Sequence, residues 1–134
     1  MKVMVIALVL LFGVGGLFIM SRDEKSEVVA GVQTTKLSMQ TIEAEMTNGA
    51  QLIDVRTPEE YAAGHIDGAI NLPLQDIEAG TFPAGDMSKP AYLYCRSGNR
   101  SSQATALLKT AGYTNVTDLG AMTEVQSLGG KVTQ

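Results

Sequence analysis

The sequence is poor in the residues that build disulfide-linked or metal-linked scaffolds. Among its 134 residues it has one cysteine, one histidine and no tryptophan. A single cysteine cannot form an internal disulfide, and with one histidine it cannot complete a structural zinc site. These shortages exclude a disulfide scaffold and a zinc module, and we expect the protein to hold no metal or other cofactor.

Positive charge is also limited. Ten lysines and arginines stand against 14 aspartates and glutamates, which gives a formal net charge of -4 and a sequence pI near 4.9. Proteins that bind nucleic acid usually rely on an extended positive field, so we expect no nucleic-acid partner. The length is typical of one folded domain, and 45% apolar residues are enough for one modest core.

Charge is absent from residues 3–20, an apolar run of 18 residues that follows Lys2 and precedes Ser21 and Arg22. A membrane-spanning helix needs about 20 such residues. A secretory signal combines a short basic start with an apolar stretch. We therefore predict that residues 1–20 are a membrane anchor or a signal peptide, with residues 28–30 as a tolerable cleavage site. A buried core helix is the third alternative.

The two residues before this run form the short tail with which export signals begin. We therefore expect an exported protein, periplasmic or otherwise extracytoplasmic, which is anchored to the inner membrane if residues 3–20 are retained. Residues 21–36 are polar and mixed in charge, which predicts a linker to a folded domain at residues 37–134.

Strand and helix patterns alternate along this domain. Short β-rich runs predict strands at residues 52–55, 69–72, 91–94 and 116–119. Capping residues and three- to four-residue apolar spacing predict helices at residues 39–49, 57–64, 74–79, 101–111 and 122–128. This alternation is typical of an α/β fold with a parallel sheet and helices on both faces. The apolar N-terminal helix would precede it.

The segment that begins at Cys95 carries the strongest chemical signal. Cys95 ends a predicted buried strand and precedes a short loop and the best-defined helix, where ligands bind in open α/β sheets. Gly98 permits a positive φ, so that successive N–H groups can converge on an anion, and Arg96 and Arg100 add two cations. Helix N-termini and neighbouring cations lower a cysteine pKa from about 8.5. Cys95 is therefore predicted to be a nucleophilic thiolate, and a buried structural cysteine is the alternative.

The motifs around this segment resemble those of a known family. They occur in the expected order at residues 52–56 (LIDVR), 59–73 (EEYAAGHIDGAINLP), 94–101 (YCRSGNRS) and 104–113. Over about residues 37–120 the chain resembles a single-domain rhodanese, a thiosulfate sulfurtransferase. Each motif is weak alone, but their combination is specific.

The resemblance implies a mechanism and a set of site residues. Cys95 would attack the outer sulfur of thiosulfate, sulfite would leave, and a thiol or cyanide would remove the sulfur from the resulting persulfide. Donor and acceptor would be small molecules, with a sulfur-relay protein as a further partner. Either Arg96 or Arg100 would steer the anionic donor. The substrate-binding residues, whose backbone N–H groups would hold the persulfide, are Arg96, Ser97, Gly98, Asn99 and Arg100.

Three other polar residues are predicted to support the site. Asp54 and Arg56 lie at the end of a predicted strand, where we expect them to bond to neighbouring backbone, with Arg56 paired to Glu59 or Glu60. His65 is the only histidine, and in the Gly-His-Ile motif it resembles a loop-fixing residue more than a catalytic base.

The chain departs from the family pattern after the fourth predicted strand. Family members usually have a Gly-Gly pair and a tryptophan there, whereas residues 119–122 read LGAM, so the resemblance does not define the shape of the pocket rim.

Two other functions are alternatives. Cysteine phosphatases and arsenate reductases place five residues between cysteine and arginine, whereas four separate Cys95 from Arg100. A non-catalytic persulfide carrier or binding module is the other alternative.

Overall fold

A computed structural model describes residues 35–134. The helices are α1 (Met39–Met46), α2 (Pro58–Ala63), α3 (Leu74–Glu78), α4 (Asn99–Thr110) and α5 (Met122–Ser127). The strands are β1 (Gln51–Asp54), β2 (His65–Ile66), β3 (Ile70–Asn71), β4 (Ala91–Cys95), β5 (Val116–Ala121) and β6 (Val132–Thr133). The predicted anchor or signal at residues 1–20 and most of the predicted linker lie outside the described residues. No helix within residues 35–134 is long and apolar enough to span a membrane.

Two helices begin at the capping residues that the sequence predicts. The Oγ of Ser38 accepts a hydrogen bond from the N–H of Thr41 at the start of α1. At the start of α2, Thr57 and Glu60 form a reciprocal capping box with Pro58 in the first turn. Each cap satisfies N–H groups that have no partner inside the helix, which fixes where the helix begins.

Four strands form the predicted parallel sheet in the order β3-β1-β4-β5. The α/β prediction is thus confirmed for this part of the chain. A second, antiparallel pair joins β2 to β6, with Ile66 opposite Val132. The sequence does not predict this pair, because strands of two residues carry no periodic signal.

Alternate strand residues face two separate cores. Leu52 of β1 and Tyr94 of β4 pack with α1 and α5, whereas Ile53 and Leu93 pack on the opposite face with α3 and α4. Cys95 belongs to the second face, the one that α4 covers. Helices therefore cover both faces of the sheet, as predicted, and the cysteine lies beneath the helix that follows it.

An irregularity in β5 shapes the end of the sheet next to Cys95. Leu93 pairs with Asp118 but Tyr94 pairs with Gly120, so Leu119 is an extra residue in β5. Gly120 has a φ of +83°, which favours glycine. This bulge bends the strand where the sequence departs from the family pattern.

Candidate active site

Neighbouring strands place Asp54 and Cys95 at the same edge of the sheet. Asp54 ends β1, Cys95 ends β4, and the two parallel strands pair directly, with Asp54 opposite Tyr94. Only residues 96–98 separate Cys95 from α4, which begins at Asn99, two residues earlier than predicted. Gly98 is the N-cap of α4 with a φ of +96°. The left-handed glycine turns the chain back over the sulfur.

The Cys95 sulfur is fully buried, but its surroundings are polar. The N–H of Gly98 donates to Sγ at 2.9 Å. The hydroxyl of Ser101, which is also fully buried, lies 3.6 Å from Sγ. That hydroxyl also lies 3.1 Å from the Gly98 carbonyl oxygen and 3.4 Å from that of Gly120. A hydroxyl has one hydrogen to donate. When Cys95 ionises, the Ser101 hydroxyl can donate that hydrogen to the charged sulfur instead of to a carbonyl oxygen.

These contacts set the ionisation of the thiol. Burial raises the pKa of Cys95, since it disfavours the charged form. Hydrogen bonds from the N–H and hydroxyl of Ser101 and from the N–H groups of Gly98 and Ser97 outweigh burial, and the pKa lies below its ordinary value. The loop and the first turn of α4 thus stabilise the thiolate form of Cys95.

The two loop arginines have different environments. Arg100 donates from Nη1 to Oε2 of Glu60 at 2.6 Å and from Nη2 to Oε1 at 3.0 Å. Arg96 is exposed, and no ion pair within residues 35–134 involves it. The positive charge of Arg100 is therefore matched by a carboxylate, whereas that of Arg96 faces solvent.

Asp54 and Arg56 form a buried ion pair beside the loop. Nη2 of Arg56 lies 2.6 Å from Oδ2 of Asp54, and the Arg56 N–H donates to Oδ1 at 2.9 Å. Arg56 also donates to the Gly64 carbonyl oxygen at 2.7 Å. The predicted pairing of Arg56 with Glu59 or Glu60 is wrong. The guanidinium of Arg56 pairs instead with the fully buried carboxylate of Asp54, two residues earlier in the chain.

His65 lies at the start of β2 and contacts its own segment. Its ring stacks on Tyr61 with centroids 3.7 Å apart, and Nδ1 lies 3.0 Å from the Tyr61 carbonyl oxygen. Within residues 35–134, the hydrogen bonds to the Cys95 sulfur come from residues after Cys95 rather than from this histidine. The supporting role of His65 stays a prediction.

The rim on the β5 side is built from small residues and a carboxylate. A Cβ placed on Gly98 would lie 3.6 Å from Cα of Gly120, so the loop packs closely on the β5 bulge. Ala121 follows Gly120, and its N–H donates to Oε2 of Glu124 at 2.6 Å. The loop of residues 96–98 thus packs on β5 with Gly120-Ala121 at this position and no tryptophan in the sequence.

Two residues that contact the loop are absent from the predicted site. Ser101 faces the sulfur from α4, and Glu60 holds Arg100 from α2. A signal for Ser101 was present, since it is the first serine on the helix that follows the cysteine. The sequence gives no such signal for Glu60, because 40 residues separate it from Arg100 and because its place in the capping box already explains a glutamate there.

Comparisons with known proteins agree with this geometry. A model of the rhodanese-like domain family matches residues 38–127. The thiosulfate sulfurtransferase PspE of Escherichia coli is 38% identical over 74 residues, which are 54% of this chain and 71% of PspE. The thiosulfate sulfurtransferase GlpE of Pseudomonas entomophila is 40% identical over 68 residues, which are 51% of this chain and 62% of GlpE.

Solved structures give the same fold. A rhodanese from E. coli determined with anions is 32% identical, with a TM-score of 0.54, and the match covers 64% of this chain and 99% of that one. A human single-domain sulfurtransferase is 31% identical, with a TM-score of 0.56, and the match covers 68% of this chain and 94% of the human one.

Proposed function

Because this chain belongs to the rhodanese-like domain family, we propose that it transfers sulfur from thiosulfate or a related donor through a persulfide on Cys95. The family and the relatives named thiosulfate sulfurtransferases support sulfurtransferase activity in general. The observation that carries the persulfide proposal is the 2.9 Å hydrogen bond from the Gly98 N–H to the Cys95 sulfur. That donor stabilises a thiolate before the reaction, and after it a persulfide could take the same set of N–H groups.

The reaction balances as two displacements at sulfur. The thiolate attacks the outer sulfur of thiosulfate, the Sγ–S bond forms, and the original S–S bond breaks as sulfite leaves with its electron pair. The carbon of cyanide, or the sulfur of a thiol acceptor, then attacks the outer sulfur and releases Cys95 as the thiolate. With cyanide the product is thiocyanate. No external oxidant or reductant enters the cyanide reaction.

The loop residues have separate parts in this proposal. The N–H groups of Ser97, Gly98 and Ser101 stabilise negative charge on the sulfur. Arg96 attracts the dianionic donor from solvent, since it is exposed and no ion pair among residues 35–134 involves it. Asn99 and Arg100 contribute through the first turn of α4, where Arg100 is already paired with Glu60.

The direct assay is thiocyanate formation from thiosulfate and cyanide by the wild-type protein and by Cys95→Ser. We expect turnover by the wild type and none by the variant, because a serine oxygen cannot form the persulfide. Turnover retained by Cys95→Ser would reject the proposal. Rapid single-turnover loading with slow steady-state turnover would identify a persulfide carrier instead.

A phosphatase or arsenate reductase activity has less support. Four residues separate Cys95 from Arg100, which makes a small cradle for a tetrahedral oxyanion, and both terminal nitrogens of Arg100 are engaged by Glu60. We expect no hydrolysis of a phenyl phosphate ester. Hydrolysis that disappears in Cys95→Ser would show that this expectation is wrong.

We also propose that the protein is exported and that residues 3–20 target it to the membrane. The support is the 18-residue run without charge. Fractionation of cells that express the full chain, with the mass of the recovered protein, tests both parts. Protein recovered only in the cytosolic fraction would contradict the proposal.

A further inference from the structure

We propose that Glu60 is a positioning residue for Cys95: its carboxylate holds Arg100, and through Arg100 it fixes the first turn of α4 over the sulfur. The inference rests on the proposed function only in taking Cys95 as the reacting thiol. In this proposal, an acidic side chain on α2 aligns the hydrogen-bond donors at the start of α4.

The contact between the two side chains is a forked ion pair. Both carboxylate oxygens of Glu60 accept from different terminal nitrogens of Arg100, at 2.6 and 3.0 Å. The side chains are 29% and 31% exposed. Two parallel charge-assisted hydrogen bonds define the orientation of a guanidinium as well as its distance. The pair therefore limits how far Arg100 can move relative to α2.

Glu60 itself is held in place by the start of α2. Its Oε2 accepts from the N–H of Thr57 at 3.0 Å, and its own N–H donates to the Thr57 hydroxyl at 3.3 Å. Pro58 restricts the backbone between them. The chain reaches this cap three residues after β1, the strand that pairs with β4. Glu60 is thus a fixed point from which Arg100 can be held.

Arg100 lies between the donors that stabilise the Cys95 thiolate. Gly98 precedes it by two residues and Ser101 follows it by one, and both donate hydrogen bonds that lower the pKa of Cys95 against the effect of burial. Gly98 is the N-cap of α4, and Arg100 and Ser101 lie in its first turn, so a displaced Arg100 would carry both donors with it. Small displacements of aligned groups can cost large factors in rate.

If Glu60 acted on Cys95 through its charge alone, its removal would lower the pKa of Cys95. If Glu60 acts by positioning the donors, its removal should raise that pKa, so the two roles can be told apart. Loss of the Glu60 carboxylate removes a negative charge and leaves Arg100 unmatched, and both changes favour a thiolate. Loss of positioned donors disfavours it. Other charged groups at this end of the sheet and in its bounding elements include Asp54, Arg56, Glu59, Arg96, Asp118 and Glu124.

The experiment measures the midpoint of the pH dependence of Cys95 alkylation by iodoacetamide, which is unambiguous because the chain has one cysteine. In Glu60→Ala we expect the midpoint to rise by about one pH unit, the equivalent of one charge-assisted hydrogen bond lost by the thiolate. Glu60→Gln can still accept from Arg100 and Thr57, so its midpoint should rise less. Glu59→Ala removes an exposed carboxylate from the same turn and should leave the midpoint unchanged.

A double-mutant cycle with Arg100→Ala completes the test. If Glu60 acts through Arg100, the double variant should shift the midpoint no further than the larger single change. A midpoint in Glu60→Ala that is unchanged or lower, or additive shifts in the double variant, would overturn the inference. Alkylation needs no sulfur donor, so a wild-type protein that forms no thiocyanate would reject the proposed function and leave this result intact.

Discussion

The backbone N–H of Gly98 lies 2.9 Å from Sγ of Cys95. This contact joins the end of β4 to the start of α4, and it places a donor at the atom that would carry charge in the proposed sulfur transfer. It depends on the left-handed conformation of Gly98, with a φ of +96°. The first prediction follows from that conformation.

Gly98→Ala should slow sulfur transfer by more than it destabilises the fold. A Cβ would make only ordinary contact with Gly120, at 3.6 Å, so the effect comes from backbone strain that turns the N–H away from the sulfur. We expect a loss of about 1 kcal/mol in the free energy of unfolding and at least a tenfold lower rate of thiocyanate formation, roughly as for a misaligned donor.

Gly112→Ala is the matched control. Gly112 follows α4 with a φ of +109°, and its Cβ would meet the Sδ of Met87 at 3.6 Å. The stability loss should be similar, but the rate per folded molecule should stay at the wild-type value. Equal rates in the two variants would contradict the role assigned to the Gly98 N–H.

Arg96→Ala should raise KM for thiosulfate several-fold with little change in kcat. Arg96 is exposed and its charge is unmatched within residues 35–134, so its role is to attract the anionic donor. The dependence of kcat/KM on salt should also become flatter, since screening acts on this attraction. Steady-state kinetics at low and high ionic strength measure both effects. An unchanged KM would remove Arg96 from donor binding.

Arg56→Ala should destabilise the protein strongly. It leaves the fully buried Asp54 carboxylate without its ion-pair partner, a change that costs about 3–5 kcal/mol in comparable sites. Urea unfolding measures the loss, with Arg96→Ala as an exposed control expected to stay within about 0.5 kcal/mol of wild type. Similar stabilities for the two variants would show that the buried pair is not structural.

The Arg100–Glu60 pair should make stability depend on acid pH. Pairing with Arg100 lowers the pKa of Glu60 to about 2, below the value of about 4.3 in an unfolded chain. The contribution is therefore complete above the unfolded value and is lost as the pH falls from about 4.5 to about 2.

Arg100→Met should be less stable than wild type by about 1 kcal/mol at pH 6, a value typical of a partly solvated pair. Urea unfolding should show that this difference shrinks as the pH falls towards 3. For Arg96→Met the difference from wild type should stay constant over the same range. A constant difference for Arg100→Met would show that the pair does not stabilise the fold.

The sequence predicts the larger part of the fold because local signals set most elements. Ser38 and Thr57 cap helices where expected, and the apolar runs that contain Ile53 and Leu93 form buried parallel strands. The β2–β6 pair and the bulge at Leu119 are missed, because both depend on pairing between segments that are distant in the chain.

The site is predictable in its chemistry and less so in its contacts. Cys95 and Gly98 come together as expected because one short loop holds them. The partners of Arg56 and Arg100 depend on which carboxylates the folded chain brings near. Arg56 pairs with the buried Asp54, and Arg100 pairs with Glu60 on α2.

Intact-mass analysis of the purified protein tests the central claim most directly. Protein first treated with cyanide should gain the mass of one sulfur atom on incubation with thiosulfate and lose it again when cyanide is added, and Cys95→Ser should gain nothing. A mass that does not change in the wild type, or a sulfur adduct that persists in Cys95→Ser, would contradict the persulfide on Cys95.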